Sequence, residues 1–203
     1  MFPYQPNKED YYLYIGRMIE RKGVHIASQV CKELGVKLIM AGSGNEIPEY
    51  GEYIGPVNAE QRADLMGKAI ATFVPTLYIE PFGNVNIESQ ACGTPVITTD
   101  WGAFTETVVD GVSGYRCHTL DDFCKAAENS KGLDTYAIHK RAVDLYSVDN
   151  IRYKYDNYFN RLLTIPCNHT DKIFLLNSFC NFYNSFIIKH LPILIACVKQ
   201  YCI

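Results

Sequence analysis

Two glutamates, Glu80 and Glu88, are separated by seven residues and stand on either side of a predicted turn at Pro81 and Gly83. Glu88 lies about one turn inside the helix predicted after that turn. The first N–H groups of a helix have no intrahelical partner and carry the positive end of its dipole, so they attract anions and polar oxygens. A carboxylate only accepts hydrogen bonds, which suits the hydroxyls of a sugar or ribose. Either glutamate alone could instead simply complement the helix dipole.

Two basic side chains form a second candidate group. Arg17 and Lys22 lie in the loop G-R-M-I-E-R-K-G, directly after the first predicted strand. Arginine offers a fork of donors to phosphate oxygens, and lysine offers a compact charge. Without further information, these residues would also fit a solvated basic loop.

A loop with two glycines, A-G-S-G-N-E at residues 41–46, follows the second predicted strand. A dinucleotide-binding fingerprint would need a third glycine where the chain has Ile47, and no periodic helix follows directly. The loop therefore argues against NAD as a ligand. Gly42 and Gly44 instead allow the backbone of this loop to approach another group closely.

The elements that position these residues follow from the hydrophobic pattern. A strand at residues 11–15, a helix at 23–34 and a strand at 36–41 form a βαβ unit, which implies parallel pairing and a right-handed crossover. A buried strand at 69–75 leads to the turn before the helix at 84–92. In open sheets of this kind, ligands bind outside the carboxyl ends of the strands, where both candidate groups fall.

The composition limits the classes of function. The 203 residues are 48% hydrophobic and 20% charged, with a net charge of −3, as in a globular core. No basic run interleaved with aromatics occurs, which argues against nucleic acid as a partner. The eight cysteines include no C-x-x-C pair, so a zinc site is not indicated. No signal-peptide pattern occurs near the first residue, and we expect a cytoplasmic protein with reduced thiols.

The stretch E-P-F-G-N-V-N-I-E, followed by A-C-G-T-P-V, closely resembles the EX7E signature of the retaining family 4 (group 1) glycosyltransferases, and the likeness extends over roughly residues 11–163. These enzymes have the GT-B fold, with two Rossmann-like domains and the donor site in the second. The resemblance implies an α/β fold: a Rossmann-like parallel sheet with helices on both faces, one half of a GT-B fold. It also implies retaining transfer from a nucleotide-diphosphate sugar, as co-substrate, to an acceptor hydroxyl, with no metal and no further cofactor.

The resemblance assigns roles to individual residues. Glu80 would approach the donor sugar, and Glu88 would bind the ribose hydroxyls. Arg17 and Lys22, in the pattern G-R-x4-K-G, would grip the donor diphosphate and stabilise its charge, so the predicted catalytic residues are Arg17, Lys22 and Glu80. Residues 53–57, which predict a short strand and turn, match a segment near the nucleobase. The predicted substrate-binding residues are Gly16, Gly42, Gly44, Tyr53, Ile54, Phe82, Gly83, Asn84, Val85 and Glu88.

We expect two parts in the chain. Residues 1–163 would form the nucleotide-sugar-binding domain, whose first ten residues are polar, contain two prolines and predict a loose entry segment. Residues 164–203 form an apolar tail that matches nothing in the family pattern. This tail could contact a membrane surface or a partner, or it could be a degenerate extension.

A GT-B enzyme also has an N-terminal domain that holds the acceptor, whereas this chain starts at the first strand of the second domain. We therefore expect the acceptor side to come from a separate N-terminal domain or from another chain. Two alternatives stay open: a nucleotide-sugar-binding module without turnover, and a degenerate fragment whose tail mediates association. The sequence does not identify the donor base, the sugar, the acceptor or the oligomeric state.

Overall fold

The structure is a computed structural model that describes residues 2–164. The chain divides into two compact units, one ending at Ile151 and the other beginning at Arg152. The described strands are β1 (Tyr12–Ile15), β2 (Leu38–Ala41), β3 (Glu52–Tyr53), β4 (Thr72–Val74), β5 (Val96–Thr99) and β6 (Gly114–Cys117). The described helices are a 3-10 turn (Glu20–Lys22), α1 (Val24–Leu34), α2 (Ala59–Lys68), α3 (Asn84–Ala91), α4 (Phe104–Thr107), α5 (Leu120–Ser130), α6 (Thr135–Tyr146) and α7 (Val148–Thr164).

The strands of the described chain form one parallel sheet in the order β3-β2-β1-β4-β5-β6. The chain runs outward from β1 to β3, then returns to the other side of β1 and runs outward again to β6. At the reversal, Leu13 of β1 pairs with Thr72 of β4 and Tyr14 pairs with Phe73. Ligands of open α/β sheets bind at the carboxyl ends of the strands beside such a reversal. The predicted Rossmann-like parallel sheet is confirmed.

Helices cover both faces of this sheet. Successive side chains of a strand point to opposite faces, so alternate residues of β1 pack against different helices. Tyr12 and Tyr14 of β1 pack with α1 and α5, and the Tyr12 hydroxyl donates to the carbonyl oxygen of Ala127 at 2.7 Å. Leu13 and Ile15 pack on the other face with residues of α2 and α3. All four β1 residues are buried, as expected for a parallel strand covered on both sides.

The strand β3 is shorter than predicted. It covers Glu52–Tyr53, whereas the sequence predicts a short strand and turn over residues 53–57. Gly55 has a φ of +80°, and Pro56 has no N–H to donate to a neighbouring strand. The backbone therefore leaves the sheet directly after β3.

The fully buried residues of helix α3 are polar, namely Asn86, Ser89 and Gln90, and hydrogen bonds attach them to β4 and α4. Ser89 Oγ lies 2.8 Å from Thr72 Oγ1 of β4, and Asn86 Nδ2 donates to Thr107 Oγ1 at 2.6 Å. Gln90 Nε2 donates to Asn86 Oδ1 at 2.5 Å and to the carbonyl oxygen of Thr107 at 3.1 Å. Because hydrogen bonds are directional, they fix the rotation of α3 as well as its position.

The prediction of a loose entry segment is wrong for residues 2–10, which are held against the amino edge of the sheet. Lys8 Nζ donates to the carbonyl oxygen of Gly67 at 2.7 Å and to Thr94 Oγ1 at 2.6 Å. Burial lowers the pKa of Lys8 to about 8. The two prolines favour an extended path, and the polar side chains find partners at the ends of neighbouring elements.

No helix within residues 2–164 is both long and apolar enough to cross a membrane. In the second unit the described residues belong to α7, where the rings of Tyr155 and Phe159 stack with centroids 6.4 Å apart. The predicted apolar tail, apart from Thr164, lies outside the described residues. The predicted domain boundary after Leu163 stays a prediction.

We expect Asn86→Ala to lower the free energy of unfolding by about 1–3 kcal/mol, because it leaves the buried Gln90 amide and Thr107 hydroxyl short of a partner. The matched control is Asn84→Ala on the exposed side of the same helix, with an expected change within about 0.5 kcal/mol. Urea unfolding of the full chain measures both values. Equal losses for the two variants would show that these hydrogen bonds do not hold α3.

Candidate functional site

The loops that follow β1 and β4 touch at the carboxyl edge of the sheet. The N–H of Leu77 donates to the carbonyl oxygen of Arg21 at 2.8 Å. Gly23 has a φ of +72°, and a Cβ at this position would lie 1.9 Å from the carbonyl oxygen of Pro75. Only glycine tolerates both the conformation and the contact. This close approach brings side chains of the two loops together.

Lys22 and Glu80 form an ion pair between these two loops, with Lys22 Nζ 3.2 Å from Glu80 Oε2. Tyr78 contacts both residues: its hydroxyl donates to Glu80 Oε2 at 2.5 Å and accepts from the Lys22 ammonium. Lys22 Nζ also lies 4.7 Å from the centroid of the Tyr78 ring. An ammonium has three donors, so one donor of Lys22 stays available to a ligand.

Tyr78 is not among the site residues predicted from the sequence. The signal that could have found it is its spacing of two residues from Glu80, since alternate residues of an extended segment point to the same side. The loop after β5 fixes the backbone of both residues. Trp101 Nε1 donates to the carbonyl oxygen of Tyr78 at 3.1 Å, and the N–H of Ala103 donates to the carbonyl oxygen of Glu80 at 2.9 Å. A Cβ at Gly102 would lie 2.7 Å from the same Glu80 oxygen.

Arg17 lies in the same loop as Lys22 but outside the ion pair. Its side chain is exposed and makes no hydrogen bond or ion pair within the described part of the chain. Its carbonyl oxygen accepts a hydrogen bond from the Tyr14 hydroxyl at 3.0 Å, which fixes the loop backbone. A free guanidinium on a fixed backbone is well suited to bind an anion with its fork of donors.

The glycine loop after β2 runs against the loop after β1. A Cβ at Gly42 would lie 1.8 Å from the carbonyl oxygen of Gly16, and a Cβ at Gly44 would lie 2.5 Å from that of Met18. The two glycines have φ values of +142° and +133°, which other residues rarely adopt. The Tyr53 hydroxyl donates to the carbonyl oxygen of Gly42 at 2.7 Å. Backbone rather than side chains therefore forms this part of the edge.

The amino end of α3 presents backbone donors. Gly83 begins the helix with a φ of +79°, where a Cβ would lie 2.9 Å from Phe104 Cε1. The N–H groups of Asn84 and Val85 donate to no acceptor within residues 2–164, and no side chain caps the helix. Phe82, just before the helix, is 45% exposed. These donors and the helix dipole are suited to phosphate or sugar oxygens.

Glu88 has a different partner from Glu80. Its Oε1 accepts a hydrogen bond from Nη2 of Arg62 in α2 at 3.1 Å, while its Oε2 is buried and has no hydrogen-bond partner among the described residues. Burial raises the pKa of Glu88, and the Arg62 charge opposes that rise. The sequence analysis did not identify Arg62, because a single basic residue within an amphipathic helix carries no distinguishing signal.

The predicted site residues therefore lie around one edge of the sheet without all touching one another. Lys22 and Glu80 are in direct contact, and Glu88 stands apart with its own partner. Ile54, just after β3, is 40% exposed. No group of three or more metal-binding side chains is found in the part of the chain that the structure describes. The assigned roles in binding and catalysis stay predictions.

Comparison with known proteins gives a consistent result. The family model of the group 1 glycosyl transferases matches residues 3–128. Glycogen synthase of Mycobacterium tuberculosis is 31% identical over 146 residues, which cover 64% of this chain and 35% of that protein. The crystal structure of AviGT4, a glycosyltransferase involved in avilamycin A biosynthesis, matches with a TM-score of 0.67 and 26% sequence identity. The match covers 79% of this chain and 53% of AviGT4.

A further solved structure, HepE of Anabaena in complex with UDP and glucose, shares the fold with a TM-score of 0.61 at 17% identity. The alignment covers 76% of this chain and 49% of HepE. The chain thus spans about a third of the glycogen synthase and about half of each solved structure. The matched residues 3–128 make up more than half of the chain and include every loop of the candidate site. The chain belongs to the group 1 glycosyl transferases.

Proposed function

We propose that this chain binds a nucleotide-diphosphate sugar at the carboxyl edge of its sheet and transfers the sugar to an acceptor hydroxyl with retention of the anomeric configuration. The Lys22–Glu80 ion pair, held by Tyr78, is the observation that carries this proposal. It sets a cation for phosphate oxygens next to a carboxylate for sugar hydroxyls. Membership of a sugar-transferring family supports the same assignment.

The leaving diphosphate gains negative charge as the bond to the sugar breaks. Lys22 and the free guanidinium of Arg17 would stabilise that charge, which is the task of a divalent metal ion in metal-dependent transfer. The N–H groups of Asn84 and Val85, which have no acceptor within residues 2–164, would add donors that are already oriented. We therefore propose transfer without a metal or a further cofactor.

The other parts of the donor have candidate residues as well. Glu80 uses Oε2 for Lys22 and Tyr78, so its Oε1 would accept a sugar hydroxyl. The unpartnered Oε2 of Glu88 would accept a ribose hydroxyl. Tyr53 and Ile54 would lie near the base, with the glycine loop after β2 along the nucleotide.

The acceptor side of the reaction belongs to another part of the enzyme in this proposal. The chain spans about half of AviGT4, which supports an acceptor site on a separate N-terminal domain or on another chain. Fixing two reactants in the geometry of attack can supply on the order of 7–11 kcal/mol of the barrier. A nucleotide-sugar-binding module without turnover is the second candidate, because the groups proposed to hold the donor all lie in one unit. A cytoplasmic location stays a prediction.

We expect at least one of UDP, GDP and ADP to bind the full chain with a Kd below about 1 mM in titration calorimetry. Glu88→Ala should weaken that binding by about 10- to 100-fold, since a hydrogen bond to a charged group is lost, and should leave inorganic diphosphate unaffected. Glu60→Ala, at an exposed position of α2, is the control that should change neither. Absence of nucleoside diphosphate binding would contradict the proposed function, and equal losses for both ligands would contradict the role of Glu88.

Tyr78→Phe should lower the rate of sugar transfer by about 10- to 100-fold, because it removes the hydroxyl that holds Glu80 Oε2 while it keeps the ring next to Lys22. Glu80→Ala and Lys22→Ala should abolish transfer. The assay measures release of the nucleoside diphosphate by the chain supplied with an acceptor-binding domain. Tyr136→Phe, at an exposed ring of α6, should retain the full rate. If the wild-type chain bound the donor but transferred no sugar with any acceptor-binding domain supplied, the result would favour a binding module without turnover.

A further inference from the structure

The contact between Arg62 and Glu88 lies outside the group of side chains that includes Lys22, Tyr78 and Glu80. The two side chains are 33% and 19% exposed, and they join α2 to α3 through the 3.1 Å contact of Nη2 with Oε1. Each of them also has one buried polar atom with no partner among the described residues, Nε of Arg62 and Oε2 of Glu88. A buried acceptor without a partner is destabilising, so one at a ligand-binding edge is suited to a donor from the ligand.

Arg62 is held in place from three sides. Its N–H donates to the carbonyl oxygen of Asn58 at 2.9 Å, in the first turn of α2, where Asn58 and Gln61 form a capping box. Its guanidinium lies against the ring of Phe2, with Cζ 5.4 Å from the centroid. The ring and the Glu88 carboxylate together restrict the orientation of the guanidinium.

We propose that Arg62 is a positioning residue, which binds Oε1 of Glu88 and so directs Oε2 to a ribose hydroxyl of the bound nucleotide. This inference rests on the proposed function, in which Glu88 meets the ribose. Arg62 acts through Glu88 and does not touch the ligand. The carboxylate would offer Oε1 to the protein and Oε2 to the nucleotide. The hydrogen bond between Arg62 and Oε1 would therefore fix the direction of Oε2.

The charge of Arg62 also favours the ionised, accepting form of Glu88. Burial raises the pKa of Glu88, and the charge of Arg62 lowers it. Removal of Arg62 therefore raises the pKa of Glu88 further, and a protonated carboxyl has lost acceptor capacity. Nucleotide binding by a variant without the guanidinium should weaken most at low pH and recover as the pH rises.

Other ionisable groups on elements packed around α3 could also influence a pH profile. They include Asp64 and Lys68 of α2, Cys92 at the end of α3, Lys8 of the N-terminal segment, and His139 and Arg141 of α6. Burial raises the pKa of Cys92 to about 11, so its thiol stays protonated between about pH 5.5 and 8. Burial lowers the pKa of Lys8 to about 8, so Lys8 begins to lose its proton at the upper end of this interval. His139 Nδ1 lies 2.6 Å from the carbonyl oxygen of Ala91. All these groups are shared by the wild type and the Arg62 variants, and the difference between their pH profiles reports on Glu88.

The test compares Arg62→Met, which keeps a long apolar side chain, with Arg62→Lys, which restores the charge without the fork. Calorimetry between about pH 5.5 and 8 uses UDP, 2′-deoxy-UDP and inorganic diphosphate. If GDP or ADP binds more tightly than UDP, that nucleotide and its 2′-deoxy analogue replace the uridine ligands. We expect Arg62→Met to weaken UDP about 10- to 100-fold at pH 6 and less at pH 8, and to reduce the preference for UDP over the deoxy analogue. Inorganic diphosphate should be unaffected, and Arg62→Lys should recover part of the loss.

The control variant is Lys68→Met, which removes a cation of α2 that pairs with Asp64 and Glu9 rather than with Glu88, and it should leave all three affinities unchanged. A carbon-13 NMR titration of Glu88 in the ligand-free chain gives a second readout, in which its pKa must be higher in Arg62→Met than in the wild type. An unchanged pKa, or equal losses for UDP and inorganic diphosphate, would overturn the role of Arg62 and leave the proposed function standing. A wild-type chain that binds no nucleoside diphosphate would overturn the proposed function itself.

Discussion

Hydrogen bonds between helix α3 and the elements beneath it determine where the candidate site lies. A helix that packs on a sheet usually buries an apolar stripe, but α3 buries Asn86, Ser89 and Gln90. Each of these side chains has a directional partner, so α3 has little freedom to rotate about its axis or to slide. The free N–H groups at its amino end and the carboxylate of Glu88 take their directions from this attachment. Polar burial here serves orientation, which apolar packing specifies less strictly.

The loops at the carboxyl edge depend on close contacts between backbones. At Gly23, Gly42 and Gly102, a side chain would meet a carbonyl oxygen of a neighbouring loop at less than 3 Å. These contacts let the loops after β1, β2, β4 and β5 lie against one another without side chains between them. Lys22 and Glu80 meet because of this closeness, and their separation is set by the backbone more than by the flexibility of either side chain.

The parallel sheet and most of its helices can be predicted from the sequence, because burial leaves apolar runs and helical periodicity in the chain itself. The placement of Lys22 and Glu80 at one edge follows from the order of strands and loops. The contacts of Tyr78 and Arg62 cannot be predicted in this way, since they depend on which side chains face each other across separate elements. The anchoring of Lys8 escapes prediction for the same reason: polar composition indicates a loose segment, and its partners lie more than fifty residues away.

Substitutions at the two edges of the sheet have different consequences, because residues 2–10 are attached at the amino edge. At the amino edge, Lys8 ties this segment to the ends of elements that lead into β4 and β5, so substitutions there act on folding. At the carboxyl edge the glycine contacts fix the path of the loops, while intervening side chains such as Ser43 and Asn45 are exposed. A substitution at either exposed position therefore changes the surface of this edge while the loop contacts beneath it stay in place.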